Sequence, residues 1–118
     1  MDGRPEPRPD LVVSDALALI QGKWKVAILY TLAVKSELRF NGLMEELGEI
    51  SPRVLSKQLK EMEAAGFIIR MIFPSNPPAV LYSLSYKGAS LLPILQSLAE
   101  WGLKYPNTSI SNPGIQKE

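Results

Sequence analysis

The run "NGLMEELGEI", followed at once by "SPRVLSKQLKEMEAAG", leaves this chain little freedom in how it folds. Leu43, Met44 and Leu47 in the first stretch, and Leu55, Leu59 and Met62 in the second, recur at helical spacing, so each stretch is expected to form a short amphipathic helix. Asn41 suits the cap of the first helix and Gly48 its end. Ser51 suits the cap of the second, and Pro52 its first helical position, where an N–H would have had no partner anyway. Gly66 closes it. Two helices joined by a turn of about three residues that contains glycine form a helix-turn-helix.

After Gly66 the apolar period drops to two. "FIIRMIFP" (67–74) and "AVLYSLS" (79–85) read as strands, separated by "SNPP". Pro74, Pro77 and Pro78 fix φ and cannot donate to a ladder, so the pair is expected to be a hairpin with a stiff, protruding tip. The arrangement is a helix-turn-helix plus a wing.

The flanks complete the outline. Residues 1–10 hold three prolines, two arginines and three acids without apolar periodicity, which predicts a flexible arm. Val13, Ala16, Leu17 and Ile20 then predict a helix over about 12–20, with Ser14 and Asp15 near its start. Beyond Gly22, "KWKVAILYTLAV" is apolar almost all round and should be a buried central helix, with Trp24, Ile28 and Leu32 on one face. "KSELRF" reads as a turn with one small strand. A last helix over about 86–105 carries Leu91, Leu92, Leu95, Leu98 and Trp101, bent at Pro93. A Pro-, Asn- and Ser-rich tail occupies 106–118. The expected fold class is mainly α with a small β-hairpin: one winged helix-turn-helix domain over 11–105, extended by N- and C-terminal dimerisation helices.

Composition excludes more than it assigns. At 118 residues, 46% hydrophobic and 21% charged, the chain is expected to be a single folded domain. It contains no cysteine, hence no disulfide, thiolate nucleophile, thiol switch or sulfur-rich zinc site. It contains no histidine, the commonest general base and transition-metal ligand. Glu45, Glu46 and Glu49 share one helix-like stretch, and Glu61 and Glu63 diverge on another, so solvated faces account for them better than a catalytic pair. No enzyme, metal or cofactor is expected. No apolar run reaches the roughly 18 residues that span a bilayer, and "MDGRPEPRPD" lacks the order of a signal peptide. A cytoplasmic protein with no membrane partner is the expectation.

Arg53, Ser56, Lys57 and Lys60 fall at i, i+3, i+4 and i+7 of the second helix, opposite its apolar stripe. Any surface helix has a charged side, and alone this face would mean no more than that. Here it belongs to the second helix of a helix-turn-helix, is free of acids until Glu61, and precedes a wing. An α-helix fits the major groove of B-form DNA, where arginine reads guanine and lysine or serine contacts phosphate or base edges. The helix start at Ser51 and Arg53 adds open N–H groups and a positive dipole end. Double-stranded DNA is the expected partner.

The segments "LALIQGKWKVAILYTL", "LRFNGLMEELGEISPRVLSKQLKEMEAAGFIIR" and "FPSNPPAVLYSLSYKGASLLPILQSLAEW" together resemble the HxlR-type transcriptional regulators, winged-helix proteins akin to the MarR group. The resemblance runs from about 11 to 103. It rests on Gly22-Lys23-Trp24, Arg39-Phe40, the I-S-P-R-x-L-S from Ile50 to Ser56, the E-x-A-G from Glu63 to Gly66, and the proline loop before Y-S-L. It implies a homodimer on a two-fold DNA site, with the helix over about 51–65 as recognition helix and the loop at 74–79, within a hairpin over about 67–85, as wing. The candidate DNA contacts are Arg39, Asn41, Ser51, Pro52, Arg53, Ser56, Lys57, Lys60, Arg70, Ser75 and Asn76. Three departures stand out. Leu11 lies where members often carry a sensing cysteine. Ala79, Ile69 and Met71 lie where charged or basic residues are common, leaving Arg70 as the one cation between Lys60 and Lys87. Gly42 replaces a common glutamate and costs about 1 kcal/mol of helix propensity, with no compensation evident in the sequence.

The stripes Val13, Ala16, Leu17, Ile20 and Leu91, Leu95, Leu98, Trp101 are more apolar surface than one small domain readily buries, which makes a dimer interface their expected use. Packing of both on the helix at 23–34 is the plainer alternative. Trp24, Tyr30, Tyr86, Trp101 and Tyr105 could line a cavity for a small-molecule effector, although aromatics at helical spacing more often form core. A winged helix turned protein-interaction module also stays open, favoured by the apolar residues Ile69, Met71, Ile72 and Phe73.

Overall fold

The computed structural model describes residues 6–106. Among the described residues nine elements follow one another: α1 (Pro9–Ile20), α2 (Trp24–Lys35), β1 (Glu37–Leu38), α3 (Phe40–Leu47), α4 (Pro52–Ala64), β2 (Ile68–Phe73), β3 (Ala79–Leu84), α5 (Tyr86–Ser90) and α6 (Leu92–Lys104). The three strands form one antiparallel sheet in the order β1-β3-β2, with Leu38 opposite Tyr82 and Arg70 opposite the same Tyr82 from the other side.

α2 is the centre of the core, as its composition predicts. Ile28, Leu29 and Leu32 are sealed from solvent and meet Leu43 of α3, Leu55, Leu59 and Met62 of α4, Phe67 and Ile68. Trp24 is half-buried at the edge of this cluster. Gly48 and Gly66, at φ +83° and +86°, end α3 and α4 in a backbone conformation that L side chains rarely adopt. Gly66 thus turns the chain straight from α4 into the hairpin.

Four sequence expectations change. α1 begins at Pro9, so the last residues of the expected arm are helical, and Ser14 and Asp15 lie inside the helix. Pro9 is suited to a first turn, and Asp10 adds a negative charge there while its Oδ2 lies 2.7 Å from Arg8 Nη2. Residues 1–5 of the arm and 107–118 of the tail lie outside the described residues.

The cap of α3 is Arg39, and Asn41 is the second residue of the helix without a capping bond. Pairing of Leu38 with Tyr82 holds the chain extended up to Arg39, and the switch to helical backbone comes there. The expected bent C-terminal helix is two helices meeting at Leu91, because Pro93 has no N–H and crowds the preceding turn, so the chain restarts with Pro93 in a first turn. Gly42 does have a compensation: a Cβ there would come within 3.1 Å of Leu38 Cδ2, so glycine lets that side chain close onto α3.

The terminal helices divide the expected interface residues. Leu95 is buried in the chain's own core, and Leu91 and Ile20 are half-buried against it. Val13, Ala16, Leu17, Leu98 and Trp101 remain exposed, and α1 buries no residue at all. Among the described residues, no single helix is long and apolar enough to cross a membrane.

Candidate nucleic-acid interface

α4 is built as its sequence reads. The Ser51 hydroxyl accepts from the Val54 N–H at 3.2 Å, and the Ser51 carbonyl from the Leu55 N–H at 2.9 Å. Pro52 brings no N–H, so among the described residues the Arg53 N–H is the open donor of the first turn. Leu55, Leu59 and Met62 anchor the helix in the core. That anchoring turns Arg53, Lys57 and Lys60 to solvent, with Ser56 half-exposed beside them. The four expected side chains do share one outward face.

The two flanks of this face are held differently. On one, Lys25 of α2 reaches across with its Nζ 2.6 Å from Glu61 Oε1 and 2.7 Å from Gln58 Oε1. Lys25 holds the Glu61 carboxyl below the usual carboxylate range, through that hydrogen bond first and its charge second, with Lys57 adding to the effect. On the other flank lies a cleft of about 390 Å3 lined by Phe40, Ser56, Leu59, Lys60, Glu63, Arg70 and Tyr82. It brings Ser56, Lys60 and Arg70 together, three candidates from two separate elements.

The remaining candidates are spread around this centre. Arg39 and Asn41 are exposed at the start of α3. Ser75 and Asn76 are exposed at the hairpin tip, where the Ser75 hydroxyl donates to the Pro77 carbonyl at 2.7 Å. Ala79 is buried opposite Phe73, in the strand pair that closes the hairpin loop. Ile69, Met71, Ile72 and Phe73 are 40–56% exposed along β2. No group of three or more acids occurs among the described residues in a geometry that could hold a metal ion.

Sequence reasoning missed Tyr82, Lys25 and Gln58. Tyr82 was legible only through strand register, which places it opposite Arg70. Lys25 and Gln58 are 33 positions apart, and nothing local in the sequence joins them. The expected aromatic cavity is different as well. A cavity of about 410 Å3 between α1, α2 and α6 is lined by Leu17, Ile20, Gln21, Val26, Tyr30, Leu95, Leu98 and Ala99, so Tyr30 alone of the five aromatics reaches it.

Comparison with known proteins agrees with this architecture. Residues 19–109 match the family described as HxlR-like helix-turn-helix. An uncharacterised HTH-type transcriptional regulator of Halalkalibacterium halodurans is 50% identical over 91 residues, covering 77% of this chain and 80% of that protein. Among solved structures, a MarR-family transcriptional regulator from Enterococcus faecalis V583 superposes with a TM-score of 0.81 at 32% identity, covering 92% of this chain and 97% of that one. The redox regulator HypR in its reduced form superposes with a TM-score of 0.73 at 35% identity, covering 82% of this chain and 95% of that one. With its two-helix motif, its hairpin wing and these relatives, the chain belongs to the HxlR-like helix-turn-helix family of transcriptional regulators.

Proposed function

We propose that this regulator acts as a homodimer that binds double-stranded DNA at a two-fold operator, with α4 in the major groove and the β2–β3 hairpin against the flanking backbone. The observation that carries the reading is the outward face of α4, where Arg53, Lys57 and Lys60 project opposite a stripe sealed in the core. Arg53, at the helix start, is placed to reach a base edge, and Lys57 and Lys60 to reach phosphates. Ser51, Ser56, Arg39, Asn41, Arg70, Ser75 and Asn76 supply further backbone contacts around it, and Pro52 fixes the entry of the helix.

Dimerisation is supported by α1, whose Leu11, Val12, Val13 and Leu17 are all more than half exposed, and by Leu98 and Trp101 of α6. Two-fold symmetry would set the two recognition helices about 34 Å apart, one turn of DNA. The cavity between α1, α2 and α6 has room for a small apolar effector. Regulation rather than catalysis is the role, and the cytoplasm, where bacterial DNA lies, is the place for it.

Selection of bound sequences from a random duplex pool tests the reading. A two-fold consensus is expected, and a pool that stays random after repeated rounds overturns it. The exposed apolar strand β2 favours a second reading, a protein-interaction module that has lost DNA binding. Salt separates the two, since a DNA binder loses affinity steeply as salt rises and an interaction module has none to lose.

A further inference from the structure

We propose that the cleft between α4 and the hairpin seats one phosphate group of the DNA backbone, with Tyr82 as a contact residue and Glu63 as an opposing charge. The proposal rests on the DNA-binding reading above and adds to it a defined seat and two residues outside the basic face.

The cleft has one polar wall from α4 and one from the hairpin, where β2 and β3 each give a residue. Ser56 and Lys60 lie on successive turns of α4, and Arg70 and Tyr82 face each other across the β2–β3 ladder. Leu59, anchored in the core, and Phe40, at the first turn of α3, supply the apolar part of the lining. Two cationic and two hydroxyl-bearing side chains therefore line one volume. Among the described residues neither Lys60 nor Arg70 is in a salt bridge, so neither head group is held by direct contact with a carboxylate. Glu63 is the single acid of the lining and leaves it one positive charge in excess.

An anion belongs in such a place, and the position says which one. A helix with its side chains is about 10–12 Å across and the major groove about 12 Å wide, so a seated helix has a phosphate strand along each flank. Ser56 and Lys60 belong both to the outward face of α4 and to this cleft. Once the face enters the groove, the strand on the wing side must pass the cleft. Lys60 and Arg70 would supply charge, and the Ser56 and Tyr82 hydroxyls neutral donors to the phosphate oxygens. Glu63 repels the same phosphate and weakens every duplex alike, whatever its sequence.

The test is a salt titration of each variant on the selected duplex and on random duplex. Arg70→Ala should weaken both alike and lower the salt slope by about one. Tyr82→Phe keeps the ring and should weaken both by roughly three- to tenfold, with the slope unchanged. Glu63→Gln should tighten both. If the parent binds no duplex at all, the DNA-binding reading itself falls. If the parent binds, and all three variants keep parental affinity and slope while Arg53→Ala loses affinity, the seat alone is overturned. Amide resonances of Ser56, Lys60, Arg70 and Tyr82 should shift with duplex and not with inorganic phosphate at matched ionic strength. A saturable shift with inorganic phosphate alone would make the cleft a site for free phosphate and overturn the DNA assignment.

Discussion

Lys25 Nζ lies 2.6 Å from the Oε1 of Glu61, so a side chain in the first turn of α2 fastens the helix that carries Arg53, Lys57 and Lys60. Lys25 is mostly covered, with 14% of its side chain exposed, while Glu61 is 45% exposed. A carboxyl whose native pKa lies below its unfolded value stabilises the fold above the ordinary carboxylate range. That contribution is lost as pH falls through the lowered native value. Glu61→Gln should therefore flatten the acid limb of the stability curve, and its difference from the parent should close at the lowest pH. Urea midpoints from about pH 3 to 7 check this. Parallel acid limbs for the two proteins would remove the ion pair from the account.

The fold was readable wherever a local rule decides. Ser51, Pro52 and Gly66 bracket α4 by capping chemistry that needs no distant partner, and the structure places each in the expected role. Asn41 failed as a cap because the strand pairing ends at Leu38 with Tyr82 and the backbone turns helical straight after Arg39, two residues before the point where capping propensity would start the helix. Leu95 failed because helical spacing marks an apolar stripe without saying which of its residues the chain covers itself. The same limit applies to the candidate site. The basic face lies on one helix and is legible at i, i+3, i+4 and i+7, whereas the cleft with Tyr82 and the Lys25 clamp depend on contacts across the chain.

Arg53 and Lys57 should separate base reading from phosphate contact. If Arg53 meets a guanine, Arg53→Ala should cost about 1–3 kcal/mol on the selected duplex and relax preference at one position of each half-site. Lys57→Ala should weaken all duplexes alike and lower the salt slope by about one. Identical behaviour of the two variants would place sequence reading elsewhere.

Gly88 tests the junction between hairpin and α5. It is buried, its N–H donates to the Ser85 hydroxyl at 2.9 Å, and a Cβ at this position would overlap the carbonyl oxygen of Phe67. That oxygen accepts from the Ser85 N–H at 3.0 Å, so backbone would have to move on both sides. Gly88→Ala should destabilise the fold by about 1–3 kcal/mol. Thermal unfolding at the parental midpoint would show that the junction is looser than described.

Oxidants and thiol reagents should leave DNA binding unchanged. The likeness to the redox regulator HypR makes this worth measuring, because the present chain has no cysteine on which such chemistry could act. Mild diamide treatment before a DNA titration checks it. A loss of affinity would require a different target, such as one of the methionines.

The last prediction concerns α1, which has no fully buried residue and leaves Leu11, Val12, Val13, Leu17 and Leu19 between 45% and 55% exposed. Asp15 is the one charge from Leu11 to Ile20, so water meets apolar surface on most sides of this helix. Leu17 also lines the cavity between α1, α2 and α6 with Leu98, which puts the two exposed stripes beside each other. Together they offer a continuous surface that a second copy can cover by two-fold symmetry. Sedimentation at micromolar concentration should show a dimer. Leu17→Asp should give a monomer of unchanged helical content, since Leu17 is not part of the chain's own buried core. That monomer should bind an isolated half-site about as well as the parent does, and should lose the additional affinity that the parent gains from two linked half-sites. A parent that sediments as a monomer, or a Leu17→Asp variant that keeps full affinity for the two-fold site, would move the interface away from α1.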